Sequence, residues 1–387
     1  MMQTEGVEDA CTVEFELVYW QRIVSSHQVE LVATLAAIPS VKITYVAERN
    51  LSDSRKALGW KPRDLDAAKL VIADSKNSVE RLIESCPSNV IHICQGIRGN
   101  GLVGYAEKLL QKRKARVVIL TETVNDTGPI GLIKRLVYRY HLKRMISWVD
   151  IILAIGKNTG GWIAQRGFPK SRVVPFTYFL GLPSIDQIRN SRMLGNSVYR
   201  FAFVGRFVSL KRLNLLVDAL ALLQNEYEFK LLVVGGGPLE NSWKRLSKEK
   251  LGERVDWKGL MQEEEVLTFL STVDCLVLPS RVDGWGAVVS EALMVGTQAV
   301  CSDRCGASEA VHYSGVGGVF PVDNLEALTS CLRDLLARGA LGSKEREKLA
   351  EWASNLGCEA GANYLIEILR YRFSGGTLPR PPWERNM

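Results

Sequence analysis

Residues 279–309, with the sequence PSRVDGWGAVVSEALMVGTQAVCSDRCGASE, decide most of what the chain reveals about its fold. They follow the apolar segment 275–278, which predicts a buried strand, and they run through a glycine turn into a helix predicted over 287–293. Asp283 lies in the turn and Glu291 lies eight positions later. A helix that begins after such a turn presents backbone N–H groups and a positive dipole end to an anion. The stretch therefore predicts an anion site with two carboxylates beside it.

A phosphate on these amides and hydroxyl groups on these carboxylates would suit a nucleotide sugar. Because glycine has no Cβ atom, the turn backbone can approach a ligand closely. The candidate donor contacts in this stretch are Gly284, Trp285, Gly286, Ala287, Val288 and Glu291. An ordinary strand-to-helix turn, in which a carboxylate only balances the helix dipole, explains the same residues.

Two further segments have the same strand-then-turn pattern. Residues 201–211, FAFVGRFVSLK, place Gly205, Arg206 and Lys211 at a strand's carboxyl end, where open α/β sheets bind ligands. Two cations there can neutralise a diphosphate, although solvated surface cations are the alternative. Residues 229–238, FKLLVVGGGP, run from a strand into three glycines, which suit either a ligand loop or a tight turn.

In this order and spacing, the three segments resemble the carboxyl-terminal half of retaining glycosyltransferases of the GT-B fold, most closely glycosyltransferase family 4 (group 1). The resemblance covers residues 200–325 well. The matching positions are Gly205, Arg206, Lys211, Gly235, Gly237, Pro238, Pro279, Ser280, Asp283, Glu291, Gly306 and Glu309. The chain departs from the family in having Asp283 for the usual Glu, Gln298 for a common Pro, and Glu122 where a first-domain His is frequent.

The resemblance implies an α/β protein with two Rossmann-like, doubly wound domains that face a central cleft. We expect an acceptor domain over 1–185 and a nucleotide-sugar donor domain over 199–358, joined by a polar linker at 181–198. A helix over 359–376 would cross back to the first domain, and the patternless tail 377–387 is expected to be poorly ordered. Apolar runs predict strands at 15–19, 41–46, 69–73, 90–94, 117–120, 151–155, 173–176, 200–204, 230–234, 255–257, 275–278, 299–302 and 318–320.

The implied activity is the retaining transfer of a sugar from a nucleotide-diphosphate sugar to a glycan or lipid-linked glycan, as in surface polysaccharide synthesis. Arg206, Lys211 and the helix amides would stabilise the leaving diphosphate, and Asp283 would orient the donor sugar. Glu291 would hold the ribose hydroxyls. No metal or cofactor is expected, since two cations can replace a divalent ion and no DxD-type carboxylate pair ends a strand. On the acceptor side, His27 and Glu122 follow predicted strands.

Two other functions remain open from the sequence. A non-catalytic nucleotide-sugar-binding subunit could keep this fold, and Asp283 in place of Glu is compatible with it. A dinucleotide-dependent oxidoreductase would need G-x-G-x-x-G after the first strand, which residues 20–24 do not contain. A nucleotide-sugar hydrolysis assay separates the enzyme from the binding subunit.

Composition sets broad limits on the class of protein. The 387 residues are 47% hydrophobic and 24% charged, as in an ordinary globular protein of two or three domains. The eight cysteines contain no C-x-x-C pair, which favours reduced thiols in a cytoplasmic protein. An acidic start without a long apolar run argues against a signal peptide or a membrane span.

The net charge of +7 is concentrated in part in residues 130–148, which predict a basic amphipathic helix. Its cations, Lys134, Arg135, Arg139, Lys143 and Arg144, alternate with aliphatic and aromatic residues. Such a helix suits the anionic inner face of a membrane. An ordinary helix with a solvated basic face is the alternative, whereas a nucleic-acid partner is not expected because no nucleic-acid-binding motif accompanies the charge.

Overall fold

A computed structural model of the chain describes residues 13–49, 65, 67–126, 128–183 and 198–385. The strands are β1 (Phe15–Ile23), β2 (Val41–Arg49), β3 (Lys69–Ile72), β4 (Ile91–Gln95), β5 (Arg116–Glu122), β6 (Ile151–Ile155), β7 (Val173–Phe176), β8 (Tyr199–Val204), β9 (Phe229–Val234), β10 (Val255–Gly259), β11 (Cys275–Leu278), β12 (Gln298–Ser302) and β13 (Gly318–Phe320).

Helices connect these strands, as parallel sheets require. They are α1 (Ser26–Ala36), α2 (Lys76–Ser85), α3 (Gly101–Arg113), α4 (Gly128–Met145), α5 (Lys157–Ala164), α6 (Leu213–Ala221), α7 (Glu240–Leu251), α8 (Glu263–Ser271), α9 (Ala287–Met294), α10 (Ser308–Tyr313), α11 (Leu325–Arg338), α12 (Ser343–Ala353) and α13 (Cys358–Phe373).

Every strand predicted from the apolar runs is present, and the strand pairs described for the two sheets are parallel. The strands form a sheet of seven, β1–β7, and a sheet of six, β8–β13. The largest difference in bounds is at β1, which continues to Ile23 rather than ending at Tyr19. Gln21 lies in this extension and is buried although it is polar, so the apolar pattern ended too early.

The residues group into two compact units, and the first contains residues 1–120 and 145–151. Its strands run in the order β3-β2-β1-β4-β5. Tyr19 and Tyr45 stack on neighbouring strands with ring centroids 6.1 Å apart. On the same sheet the Trp20 indole donates a 3.1 Å hydrogen bond to Nδ1 of His92. Burial lowers the pKa of His92 to about 4, so the ring stays a neutral acceptor.

The second unit contains residues 121–144 and 152–387. In it β6 pairs with β7, and the six-stranded sheet has the order β10-β9-β8-β11-β12-β13. Because β8 and β11 are parallel neighbours, the loops after their carboxyl ends meet at one edge of the sheet. These loops carry the segments 205–211 and 279–286, which the sequence assigned to the donor site.

The predicted domain bounds, 1–185 and 199–358, remain a prediction. The two compact units divide the chain at other residues. The predicted linker 181–198 lies largely outside the described residues. The predicted carboxyl-terminal helix is α13, which begins one residue earlier than predicted and ends at Phe373 rather than at 376. Its Tyr364 donates a 3.0 Å hydrogen bond to the Pro175 carbonyl and stacks on Phe176, both in β7.

The expectation of a poorly ordered tail is wrong for the described residues 377–385. Trp383 is 1% exposed and packs against the rings of Phe179, Trp285 and Tyr364. The Trp352 indole also donates a hydrogen bond to the Arg385 carbonyl. A single large aromatic side chain therefore fixes a segment that shows no helical or strand periodicity.

The predicted basic helix is α4, which ends at Met145 rather than at Trp148. Tyr138 and Leu142 are buried, and the Tyr138 ring packs edge-on against Trp162 of α5. The opposite face of α4 is exposed and apolar, because it carries Leu132, Ile133, Leu136 and Tyr140, each more than half exposed. Among the described residues no helix is both long and apolar enough to cross a lipid bilayer.

Candidate active site

Lys211 and Asp283 form an ion pair at the edge where β8 and β11 end. Lys211 Nζ lies 2.5 Å from Asp283 Oδ2, and the two side chains are 24% and 15% exposed. Ser280 Oγ lies 3.5 Å from the same carboxylate oxygen. The sheet order thus joins a cation and a carboxylate that are 72 positions apart in the sequence.

The loop after β8 is held by the three glycines that follow β9. Gly205 N–H donates to the Val234 carbonyl and Phe207 N–H donates to the Gly236 carbonyl, at 3.1 and 2.9 Å. A Cβ atom on Gly235 would lie 2.0 Å from the Gly205 carbonyl oxygen, so only glycine allows this approach. The glycine triplet therefore positions the loop that carries Arg206. Arg206 is exposed and has no ion-pair partner within the part of the chain that the structure describes.

Lys211 ends a short 3-10 turn, Ser209–Lys211, and α6 begins two residues later at Leu213. Because Arg212 between them takes a left-handed conformation with φ of 56°, Lys211 is separated from the helix by a sharp bend.

Glu122, predicted from the first half of the chain, lies beside the Asp283 turn. Its Oε2 lies 2.2 Å from where a Cβ atom on Gly284 would stand, so the carboxylate touches the turn backbone. Tyr178 donates a hydrogen bond to Glu122 Oε1. Burial raises the pKa of Glu122, the Tyr178 hydrogen bond opposes that shift, Asp283 adds to it, and Lys211 opposes it. Four titratable side chains thus form one cluster within the second unit.

Trp285 is 1% exposed, and its indole donates a 2.9 Å hydrogen bond to Ser290 Oγ. Only its backbone is therefore available for the predicted donor contact. Gly286 precedes α9 with φ of 87°, and a Cβ atom there would lie 2.8 Å from Cys305 Sγ. The glycine is required at this position by both conformation and space.

Helix α9 begins at Ala287, as the sequence predicted, and its first residues Ala287 and Val288 are partly exposed. The first N–H groups of an α-helix have no partner within the helix, so this end suits an anion. Glu291 lies one turn further on the same helix and is partly exposed.

His27, the other predicted acceptor-side residue, lies in the first turn of α1 rather than in a loop. It belongs to the first unit, whereas Glu122, Lys211 and Asp283 belong to the second. The cluster described above therefore contains Glu122, Lys211 and Asp283, and His27 is described only as part of the first unit.

A cleft of about 350 Å³ opens beside Asp283 within the second unit. Its walls come from the segments that follow β5, β6, β11 and β12, and include Asn125, Asp126, Lys157, Asn158, Trp162, Gln165, Asp283 and Arg304. Sequence reasoning did not identify Lys157, Trp162 or Arg304, because no motif marks them and the cleft forms only when distant strand ends meet.

Three glycines bring the backbones together beside this cleft. A Cβ atom on Gly306 would lie 1.9 Å from the Gly284 carbonyl oxygen, and one on Gly156 would lie 2.3 Å from it. Gly306 N–H donates to the Asp283 carbonyl, and Lys157 N–H donates to the Gly306 carbonyl, both at 3.1 Å. Gly306, which matched the family pattern in the sequence, thus has a structural role in placing Asp283.

In the described part of the chain, no three His, Cys, Asp or Glu side chains are grouped so that they could hold a metal ion. The described cysteines are free thiols, and most of them are buried. Burial raises the pKa of the Cys94 thiol, and the nearby Glu107 adds to that shift, which disfavours the reactive thiolate.

Residues 184–356 match the family model of group 1 glycosyl transferases. The match covers a little under half of the chain and includes Arg206, Lys211, Asp283, Glu291 and Gly306. It thus contains the loops after β8 and β11 together with the start of α9. The resemblance to group 1 noted in the sequence is confirmed for this part of the chain.

Several curated proteins are similar to parts of this chain. An uncharacterized glycosyltransferase of Methanocaldococcus jannaschii is 27% identical over 44% of this chain and 49% of its own length. O-antigen chain mannosyltransferase C of Escherichia coli is 24% identical over 52% of this chain and 56% of its own length. A GDP-mannose-dependent monoacylated alpha-(1-6)-phosphatidylinositol monomannoside mannosyltransferase of Corynebacterium glutamicum is 30% identical over 35% and 38%. The chain spans about half the length of these relatives, or less.

Solved structures resemble nearly the whole chain. Anabaena Alr3699/HepE in complex with UDP has a TM-score of 0.69 and 15% identity, covering 92% of this chain and all of that one. The lipopolysaccharide outer core galactosyltransferase WaaB has a TM-score of 0.67 and 17% identity, covering 91% and 99%. These similarities show the fold, which is the GT-B fold of glycosyltransferases, and confirm the predicted fold class.

Proposed function

We propose that the chain is a glycosyltransferase that moves a sugar from a nucleotide-diphosphate sugar to a glycan or lipid-linked glycan. One observation carries the proposal: Lys211 and Asp283 meet at 2.5 Å on the sheet edge where α9 begins. A cation, a carboxylate and a helix start at one strand edge match the chemistry of a sugar diphosphate. The glycosyltransferase names of the relatives, and the UDP-glucose complex of Alr3699/HepE, support the same donor class.

Each residue at this edge has a role in the proposed reaction. Arg206 and Lys211 stabilise the charge that develops on the leaving diphosphate, together with the amides of Ala287 and Val288. Asp283 orients the donor sugar, and Glu291 holds the ribose hydroxyls. Because the cations and the helix end supply the charge stabilisation, we propose that the reaction needs no metal ion.

We further propose that the transfer retains the anomeric configuration through attack on the face that the diphosphate leaves. The support is the resemblance of residues 200–325 to retaining enzymes of family 4. Charge on the departing diphosphate would then assist the incoming hydroxyl, as in transfers through an oxocarbenium-like state.

The acceptor would be reached at the cytoplasmic face of a membrane, where α4 docks on anionic lipid. Its exposed apolar face carries Leu132, Ile133, Leu136 and Tyr140, which is a large apolar surface to leave in water. Arg139 and Lys143 are exposed beside this face, so the helix combines apolar insertion with attraction to anionic headgroups. The names of two relatives, an O-antigen chain mannosyltransferase and a phosphatidylinositol monomannoside mannosyltransferase, agree with a glycan or lipid-linked acceptor.

The test begins with thermal unfolding of the whole chain against a panel of nucleotide sugars, since a ligand of the native state raises stability. The ligand that stabilises the protein is then used in a hydrolysis and transfer assay. Arg206→Ala and Lys211→Ala should each lower turnover on the order of 10²-fold, because each removes preorganised charge from the leaving group. Lys230→Ala is the control, since Lys230 is an exposed cation that binds the Glu253 carbonyl away from this edge.

Unchanged turnover in both variants would contradict the assignment of the donor site to Arg206 and Lys211. Donor binding without hydrolysis or transfer, in the presence of glycan acceptors, would instead indicate a binding subunit. The anomeric configuration of the product, measured by NMR, decides whether the transfer retains or inverts.

A further inference from the structure

The cleft beside Asp283 contains more positive charge than its own carboxylates balance. Two carboxylates line it, and each already has a cation: Asp283 pairs with Lys211, and Asp126 pairs with Arg166. Lys157 and Arg304 also line the cleft, and both are exposed. Neither has an ion-pair partner among the residues that the structure describes. The cleft wall therefore has two uncompensated positive charges.

Arg166 does not line the cleft, and its contacts with Asp126 and Trp162 lie within the wall. Arg166 is 7% exposed, stacks over the Trp162 ring at 4.0 Å, and donates to the Trp162 carbonyl at 2.7 Å. The Trp162 indole donates a 3.1 Å hydrogen bond to the other partner, Asp126. These buried contacts fix the wall, so a ligand meets a surface that is already ordered.

The remaining polar groups of the cleft are uncharged. Gln165 is exposed in the lining, and Asn158 is held in place by donating a 3.0 Å hydrogen bond to the Asp303 carbonyl. Side-chain amides both donate and accept, which suits sugar hydroxyls. A rigid cleft with two cations and amides suits a sugar that carries a negative group.

We propose that this cleft binds an acceptor sugar bearing a phosphate or a carboxylate, with Lys157 and Arg304 holding the anionic group. The proposal rests on the proposed function, and it names the acceptor class for the same site. The donor diphosphate is assigned to Arg206, Lys211 and the start of α9, so Lys157 and Arg304 serve a second anion. The acceptor then lies next to Asp283, where the donor sugar is expected.

The experiment compares anionic and neutral sugars as direct probes. Glucose 6-phosphate, glucuronate and glucose are titrated calorimetrically into the full chain, in the presence of the nucleoside diphosphate found in the donor screen. At least one anionic probe should bind more tightly than glucose. The double variant Lys157→Gln/Arg304→Gln should weaken that binding by about tenfold or more, because charge-assisted hydrogen bonds are lost. Its affinity for the nucleoside diphosphate should stay unchanged.

Two controls separate this inference from the proposed function. Lys112→Gln/Arg245→Gln removes two exposed cations elsewhere and should leave all affinities unchanged. Arg206→Ala should weaken binding of the nucleoside diphosphate and leave binding of the anionic probe unchanged. Which anionic probe binds more tightly tells whether the group is a phosphate or a carboxylate.

The inference is overturned if neither anionic probe binds better than glucose while the nucleoside diphosphate binds normally. It is also overturned if Lys157→Gln/Arg304→Gln weakens binding of the nucleoside diphosphate as strongly as binding of the probe. The cleft would then be part of the donor site. Binding of an anionic probe without binding of any nucleotide would support the anion site in the cleft and contradict the proposed function.

Discussion

At the residue scale, Gly284 allows Glu122 to touch the Asp283 turn. A Cβ atom at position 284 would lie 2.2 Å from Glu122 Oε2, so Gly284→Ala must displace the carboxylate or the turn. We expect turnover to fall on the order of 10²-fold, as for other displacements of about 1 Å in reacting groups. Measuring kcat with the donor found in the nucleotide-sugar screen checks this.

Gly160→Ala is the matched control for Gly284→Ala. Gly160 lies in α5, where an added Cβ atom meets only a Val173 methyl group at 3.8 Å. Alanine is favoured over glycine in a helix, so this variant should be at least as stable as the original chain and equally active. Equal activity in Gly160→Ala and Gly284→Ala would show that Glu122 has no part in the reaction.

Glu107 of α3 gives a prediction about pH. It is 8% exposed, and burial raises its pKa from 4.5 to about 8. Above pH 4.5 the unfolded chain loses this proton while the folded chain keeps it, so the free energy of unfolding should fall as pH rises from 4.5 to about 8. Glu107→Gln keeps the side chain neutral and should reduce that pH dependence.

Urea unfolding at several pH values between 4.5 and 8 measures the effect of Glu107→Gln. Glu84→Gln in α2 is the control, since Glu84 is exposed and should leave the pH dependence unchanged. If the two variants show the same slope of stability against pH, the Glu107 carboxyl is ionised in the folded chain at neutral pH.

Residue positions could be predicted only where a local pattern specifies them. The positions Arg206, Lys211 and Asp283 follow strand ends, so the sequence identified them, and the structure places two of them in contact. The buried position of Trp285 depends on Trp383, which is distant in the sequence. Likewise, the contact of Glu122 with Gly284 depends on tertiary packing that no local spacing specifies.

At the element scale, α4 exposes an apolar face, which we propose docks on anionic lipid. Ile133 and Leu136 are 65% and 69% exposed, so Ile133→Ser/Leu136→Ser should leave the fold intact and reduce binding to anionic liposomes. Arg139→Gln/Lys143→Gln should also reduce binding, by about 2 kcal/mol or roughly 30-fold in partitioning. High salt should release the original chain, because screening is strong beyond about 10 Å at 0.1 M.

Sedimentation with liposomes of anionic and of neutral lipid measures these effects. Leu222→Ser/Leu260→Ser is the control, because both leucines are more than half exposed on other segments. Binding that is absent in the original chain, or equal in all variants, would show that α4 is an ordinary solvated helix.

Elements were the part of the structure that the sequence predicted best. Each strand carries its own apolar run, and each helix its own periodicity, so both are local properties. The errors are at ends: β1 continues through the buried Gln21, and α4 stops at Met145 before Trp148. Order in the tail was missed because it depends on one side chain, Trp383, and not on a repeating pattern.

At the scale of the whole molecule, the fold follows from the alternation of strands and helices, whereas the cleft beside Asp283 does not. Its walls come from segments after β5, β6, β11 and β12. Their meeting depends on strand order, which the sequence specifies only through the whole chain. Sequence motifs therefore did not identify Lys157 and Arg304, although they identified Asp283, which lines the same cleft.

Strand order also bears on the proposed metal-free mechanism. The parallel pairing of β8 with β11 brings Lys211 to Asp283, and it directs Arg206 and the start of α9 to the same edge. These fixed positive groups can neutralise a diphosphate without a divalent ion. Turnover with the donor from the screen should therefore persist in excess EDTA. Lys211→Ala should lose activity in EDTA and in magnesium alike, because a missing fixed cation is not replaced by a free ion. Loss of activity in EDTA with rescue by magnesium or manganese would contradict this and would assign the leaving-group charge to a metal ion.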